Sequence, residues 1–267
     1  MTADHPELVP VAIDAARYPS LSGVPVLITG GGSGIGAHLV EAFCEQGAAV
    51  AFLERDAATA DASADAAAKM GSRPLFEVVD LTDIAAAQEA IARLAGELGA
   101  FRVLINNAGN DDRLPVEDVT PEYWDERLSV NLRHQFFCAQ AVIPGMAEAG
   151  GGAIVNMGSN SWIRGAPGLI CYTTAKSAVE GLTRSLAREV GDRRIRVNSI
   201  LPGWILTERQ VSRAKAVYPE KFQDYLGRQC LKEFLLPPDV ARMALWLAAD
   251  DARMVTGQRF IIDGGVV

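Results

Sequence analysis

Val24-Pro25-Val26-Leu27-Ile28-Thr29-Gly30-Gly31-Gly32-Ser33-Gly34-Ile35-Gly36 carries an apolar run directly into a glycine-rich turn. The run Val24 to Thr29 reads as a strand, and Gly34 to Gln46 as the helix after it. Gly30 permits a tight turn. Gly34 and Gly36, with Ser33 and Ile35 between and beside them, let the backbone approach a pyrophosphate, whose charge the helix N-terminus meets. The spacing is T-G-x-x-x-G-x-G rather than the commoner G-x-G-x-x-G. A flexible turn would also use glycines. The position between strand and helix is what favours a nucleotide site.

The same alternation continues along the chain. Strands are expected at Ala48 to Leu53, Phe76 to Val79, Phe101 to Ile105, Gly152 to Met157, Ile195 to Ile200 and Phe260 to Ile262. Helices are expected at Asp56 to Met70, Ile84 to Leu98, Pro121 to Ala149, Tyr172 to Val190 and Asp239 to Ala248. The strands are continuously apolar, so a parallel sheet covered on both faces is expected. The fold class is α/β, a doubly wound parallel sheet in one domain over residues 21–267. Residues 1–20 read as an ordered or frayed extension. Residues 204–230 read as a small helical lid.

Composition narrows the function. The chain has 267 residues, 49% of them apolar, enough to bury a core without disulfides. The formal net charge is -8 and no basic block appears, which argues against nucleic acid. Cys44, Cys138, Cys171 and Cys230 are scattered, and His5, His38 and His134 share no ligand spacing. No metal site is therefore expected, and free thiols suit a cytoplasmic location. No signal peptide or membrane-length apolar stretch is read.

Glu54 ends the second strand, where a carboxylate accepts from ribose hydroxyls and repels a 2′-phosphate. A solvated loop acid is the plain alternative, and Arg55 beside it would welcome a phosphate. NAD is favoured over NADP. Asp80, before Leu81, is placed to meet an adenine amino group, while Thr82 or Asp83 suits the helix cap. Asn106-Asn107-Ala108-Gly109 ends the fourth strand. Its amides can hold a strand end and leave backbone open to the cofactor, or form an ordinary turn.

Ser159 ends the fifth strand. Tyr172 and Lys176 lie four residues apart on one helix face. An ammonium there favours the phenolate, giving a proton acceptor near neutral pH. Asn131 is either an exposed amide or one whose carbonyl holds a water near Lys176.

In this order the motifs resemble those of the short-chain dehydrogenase/reductase family, from about Gly23 to the C-terminus. Thr29-to-Gly36, Asn106-to-Gly109, Asn131, Ser159, Tyr172 and Lys176 each match, and Pro202-Gly203 matches the turn near the nicotinamide. The resemblance implies a Rossmann fold, a nicotinamide cofactor also contacted at Ile205 and Thr207, and a homotetramer. A narrower resemblance, to the family's bacterial D-xylose dehydrogenases, rests on four segments. They are Asn107 to Arg113, Tyr123 to Arg127, Asn131 to His134, and Gln229 to Lys232. It implies oxidation of an aldose such as D-xylose or L-arabinose to an aldonolactone. Asn110, Asp111, Asn160, Trp162 and Trp204 are candidate sugar contacts beside Ser159 and Tyr172. Asn110 to Arg113 would otherwise be a charged surface loop. Rival readings are a dehydrogenase for steroids, acyl thioesters or other ketones, and a non-catalytic cofactor-binding scaffold.

Overall fold

Val26 and Ile28 point to one side of the first strand and Leu27 to the other, and all three are fully buried. A strand with water on neither face has no reason to alternate. The computed structural model, which describes residues 15–217 and 221–267, has seven strands, the inner ones largely buried in this way and the two at the sheet edges partly exposed. The seven are β1 (Pro25–Thr29), β2 (Ala49–Glu54), β3 (Leu75–Val78), β4 (Val103–Asn106), β5 (Gly152–Met157), β6 (Ile195–Pro202) and β7 (Arg259–Ile262). All pairings are parallel, in the order β3-β2-β1-β4-β5-β6-β7. The order reverses between β1 and β4, so a crevice opens beyond their carboxyl ends.

Helices close both faces. On one lie α1 (Gly34–Glu45), α2 (Ala57–Ala67) and α9 (Pro237–Ala248), contributing Leu39, Phe43, Ala64, Val240 and Leu247. On the other lie α3 (Ile84–Leu98), α5 (His134–Glu148) and α6 (Ile170–Val190), contributing Ile91, Leu94, Met146 and Val190. Each large apolar side chain so buried contributes about 1.5–3 kcal/mol. The α3 bounds agree with the periodicity because both stops are chemical. Asp83 accepts the Ala86 N–H at 3.1 Å, and Gly99 takes φ +86° past the last turn.

One expectation changes. The helical pattern from Pro121 to Ala149 is not uniform: α4 (Pro121–Leu128) passes through a π turn at Ser129–Arg133 before α5 begins. The lid expected over residues 204–230 holds two helices, α7 (Glu208–Val217) and α8 (Lys221–Arg228). Leu206, Val211, Ala214 and Phe222 pack there as a small separate core under Trp204 and Phe234. The end of the N-terminal extension is ordered and docked at the end of α1. Tyr18 N–H donates to Gln46 Oε1 at 2.8 Å, and Gln46 Nε2 donates to the Ala16 carbonyl at 3.1 Å. Residues 1–14 of the extension lie outside the described residues.

Candidate active site

The glycine turn is built for close approach. Gly30 and Gly34 have φ of +68° and +55°, a region costly for other residues. A Cβ on Gly36 would stand 1.8 Å from the Gly30 carbonyl oxygen. Ser33 caps α1 without a side-chain hydrogen bond, so the first N–H groups of α1 face the crevice uncapped. These features fit a pyrophosphate cradle. Asn107 fixes its far side: Nδ2 donates to the Thr29 and Gly30 carbonyls at 3.1 and 3.0 Å. Thr29 Oγ1 accepts the N–H groups of Asn107 and Ala108. The Asn106-to-Gly109 segment thus holds a strand end, as its amides suggest.

Glu54 is not a solvated loop acid. Oε2 accepts the Gly32 N–H and Oε1 the Arg55 N–H, each at 2.9 Å. It tethers the glycine turn to the end of β2 and lines the cleft. Asp80 accepts from the Thr82 N–H and hydroxyl at 2.8 Å each. These bonds, the backbone one first, hold its carboxyl below the usual range. Leu81, Pro202, Gly203, Ile205 and Thr207 line the same cleft, whose volume is about 1200 Å³. That is room for a dinucleotide and a small second molecule.

Ser159, Tyr172 and Lys176 converge on this cleft. Ser159 Oγ donates to Ser161 Oγ at 2.9 Å and accepts the Ser161 N–H at 3.2 Å. Lys176 Nζ, 2% exposed, donates to the Met157 carbonyl at 2.8 Å. It lies 5.8 Å from the centre of the Tyr172 ring. Burial drives Tyr172 up to about 12, opposed by Ser159, reinforced by Asp111 and opposed again by Arg113. Burial also drives Lys176 down to about 7. Burial disfavours the charged form of both groups, so the phenolate calls for further positive charge beside it.

Asn131 is fully buried in the π turn and is not an exposed amide. Its Oδ1 accepts the Asn110 N–H at 2.8 Å, and its Nδ2 donates to the carbonyls of Asn110 and Arg127. The side-chain carbonyl expected to hold a water is therefore engaged with the loop after β4. It still borders the lysine: a Cβ on Gly109 would lie 3.0 Å from Asn131 Oδ1 and 3.3 Å from Lys176 Nζ.

The candidate sugar contacts divide. Asn110, Asp111, Asn160 and Trp204 line the cleft. Asp112 turns away to Arg127 at 3.0 Å. Trp162 does not line the cleft; its ring lies 6.0 Å from the Arg259 guanidinium. The turn after Ser159 carries the indole away from the cleft while Arg164 lines it. Asn160 is committed to Asp263 at 3.0 Å, and Trp204 packs on Phe222 and Tyr225.

Several cleft-shaping residues had escaped sequence reasoning. Gln135 Nε2 donates to the Asn131 and Met157 carbonyls at 3.3 Å each, bracing the acceptor of Lys176. His134 Nε2 meets the Ala108 carbonyl at 3.1 Å. Burial, then Lys176, pushes its pKa to about 3. Gln135 stands one helical turn after Asn131, a spacing that could have flagged it. Arg164, Gln210 and Tyr225 carry no such signal.

Among the described residues, no cluster of three or more His, Cys, Asp or Glu could hold a metal, and no helix is long and apolar enough to cross a membrane. Cys44 and Cys138 are buried and pushed up to about 12, inert as nucleophiles.

A family model described as "Enoyl-(Acyl carrier protein) reductase" matches residues 30–267. D-xylose 1-dehydrogenase of Caulobacter vibrioides (strain NA1000 / CB15N) is 49% identical over 255 residues, covering 95% of this chain and 99% of that protein. A "Probable galactose dehydrogenase" of Rhizobium meliloti (strain 1021) is 47% identical, covering 96% of this chain and 100% of that protein. Among solved structures, a 3-oxoacyl-[acyl-carrier protein] reductase with bound NAD from Brucella melitensis superposes with a TM-score of 0.86 at 31% identity, covering 98% of each chain. With its glycine cradle and its serine, tyrosine and lysine on one cleft, the chain belongs to the short-chain dehydrogenase/reductase family, nicotinamide-dependent enzymes acting on CH–OH groups.

Proposed function

We propose that the protein oxidises the anomeric hydroxyl of a cyclic aldose to an aldonolactone with NAD, pentoses such as D-xylose or L-arabinose first. The observation that carries this reading is the convergence of Ser159, Tyr172 and Lys176 on a cleft that Asp111, Arg113, Arg164 and Gln210 also line. A site of hydrogen-bonding groups favours a polyhydroxylated substrate and rejects analogues lacking the hydroxyls. The names of the two sugar-dehydrogenase relatives support the same class.

Tyr172 takes the proton of the anomeric hydroxyl, and Ser159 steadies that oxygen beside it. Lys176, fixed by the Met157 carbonyl, reaches the nicotinamide ribose, and Asn131 keeps the Asn110 backbone in place next to it. NAD, when bound in the glycine cradle, would supply the hydride acceptor and positive charge that favours the phenolate. Glu54 selects NAD by accepting from the adenosine ribose and repelling a 2′-phosphate, while Asp80 keeps an oxygen for the adenine amino group. The remaining contacts are Ser33, Gly34, Ile35 and Gly36 to the pyrophosphate, with Gly109, Pro202, Gly203, Ile205 and Thr207 around the nicotinamide half. Asn110, Asp111, Asn160 and Trp204 shape the sugar end. The reading includes a cytoplasmic homotetramer, with residues 21–267 as one domain.

A second reading, reduction of a 3-oxoacyl thioester, is favoured by the family model's description and by the Brucella structure. The charged groups of Asp111, Arg113 and Arg164 in the cleft disfavour an acyl chain. The test is a panel of free aldoses assayed with NAD and NADP beside a 3-oxoacyl thioester assayed with the reduced cofactors. NAD-dependent aldose turnover supports the proposal; thioester reduction without aldose turnover replaces it.

A further inference from the structure

Arg164 is held in the cleft with its working edge unused. Its backbone N–H bonds the Asn160 carbonyl at 3.2 Å, and its Nε donates to Asn160 Oδ1 at 3.3 Å. Its guanidinium carbon stands 5.6 Å from the centre of the Tyr225 ring, on lid helix α8. Asn160 is itself fixed, donating to Asp263 Oδ2 at 3.0 Å. Asp263 is 4% exposed and accepts the N–H groups of Gly265, Val266 and Val267. A chain of fixed groups, Asp263 to Asn160 to Arg164, thus orients the guanidinium.

Among the described residues, no other part of the chain uses that orientation. Among the described residues the two terminal nitrogens of Arg164 meet no acceptor, and no carboxylate pairs with it. The lid arginines differ: Arg209 faces Asp112 at 3.5 Å, and Arg228 pairs with Asp224 at 2.9 Å. A partly buried guanidinium with a free donor edge favours a ligand that brings acceptors. The fork presents two parallel N–H groups, matching two neighbouring oxygens.

We propose that Arg164 is a specificity-determining residue that anchors the far side of the sugar ring. Its free edge donates to adjacent hydroxyl oxygens on C3 and C4, remote from the carbon being oxidised. The inference rests on the aldose reading and deepens it: the substrate must carry a vicinal diol at those carbons. The geometry also explains why Tyr225 and Asn160 line the cleft although their polar atoms are occupied. They aim the arginine rather than touch the sugar.

The experiment compares wild type, Arg164→Met and Arg164→Lys on the aldose turned over best and on its 2-deoxy and 4-deoxy analogues. In the wild type, loss of the 4-hydroxyl should lower kcat/KM roughly 10- to 100-fold. In Arg164→Met the KM for the parent sugar should rise by a similar factor, with the KM for NAD unchanged. The 4-deoxy penalty should shrink to about twofold while the 2-deoxy penalty persists, a pattern that loss of packing alone does not produce. Arg164→Lys keeps the charge and loses the fork, so it reports the same distinction if the Met variant folds poorly. An unchanged sugar KM in both variants, or a 4-deoxy penalty that survives in them, overturns the proposal and leaves the aldose reading standing. Preference for a hexuronate that depends on Arg164 overturns it in favour of a carboxylate. Absence of any aldose turnover by the wild type overturns both.

Discussion

The Gln210 amide donates to the Asp111 carboxylate at 3.0 Å and so ties the first lid helix to the loop after β4. Arg213 reaches the same carboxylate at 3.7 Å, and Arg209 reaches Asn110 at 3.3 Å. The groups expected to bind a sugar therefore also clasp the lid. Gln210 thus holds the Asp111 carboxylate in place at the lid edge of the cleft.

Gln210→Ala should raise the KM for the sugar about 10-fold, the worth of one hydrogen bond to a charged group, and leave the KM for NAD within about twofold. Asp111→Ala should move both constants in the same directions. Steady-state kinetics with each substrate varied separately checks this. Equal rises in both KM values would show that the clasp supports the whole cleft rather than its sugar end.

On the proposed reading Glu54 has two tasks, bracing the glycine turn and selecting NAD, that one substitution can separate. Glu54→Gln keeps an oxygen for the Gly32 N–H, which Glu54 accepts at 2.9 Å, and removes the charge that repels a 2′-phosphate. The ratio of kcat/KM for NAD over NADP should fall roughly 10-fold, about 1.4 kcal/mol. A wild-type preference for NADP would contradict the assignment and transfer the role to Arg55.

The phenol makes a prediction with a definite sign. Burial holds Tyr172 at about 12 and Lys176 at about 7 in the free protein. In the difference between wild type and Tyr172→Phe, phenolate absorbance should stay absent up to about pH 11 without cofactor. Saturating NAD should lower that ionisation toward neutral, because added positive charge favours the phenolate. By linkage, NAD then binds more tightly as pH rises through the lowered value. Ionisation near neutral pH without NAD would show that Lys176 suffices.

Two glycines give opposite outcomes. Gly36→Ala places a Cβ 1.8 Å from the Gly30 carbonyl oxygen, so the turn must shift. It should lower stability by about 1–3 kcal/mol and abolish NAD binding. Gly96 lies inside α3 with nothing within 4 Å of an added Cβ. Gly96→Ala should raise stability by about 0.5–1 kcal/mol and leave activity alone. Thermal melts and cofactor titrations read both.

The sheet and the cofactor loop were legible because their determinants are local. Strands buried on both faces write themselves as apolar runs, and the glycine turn is confined to eight consecutive residues. Ser159, Tyr172 and Lys176 were legible because a strand end and one helix face bring them together. The π turn was not, since Asn131 and Gln135 sit in a pattern that still counts as helical. The far wall was least legible. Its groups come from residues 110–113, 160–164 and 204–228, and Gln210 meets Asp111 across 99 positions. Trp162 and Arg164 occupy one turn of chain, yet only Arg164 faces the cleft. No periodicity in so short a turn separates them.

The central claim is that Tyr172 accepts the proton as an aldose is oxidised at its anomeric carbon. The most direct measurement follows NADH and aldonolactone together, with D-xylose or L-arabinose and NAD, for wild type and Tyr172→Phe. The account predicts one NADH per lactone in the wild type and near-complete loss in Tyr172→Phe, whose fold and NAD binding remain. Retention of more than about a tenth of kcat, a loss under ~1.4 kcal/mol, or no NADH from any aldose alongside turnover of an apolar alcohol, would contradict it.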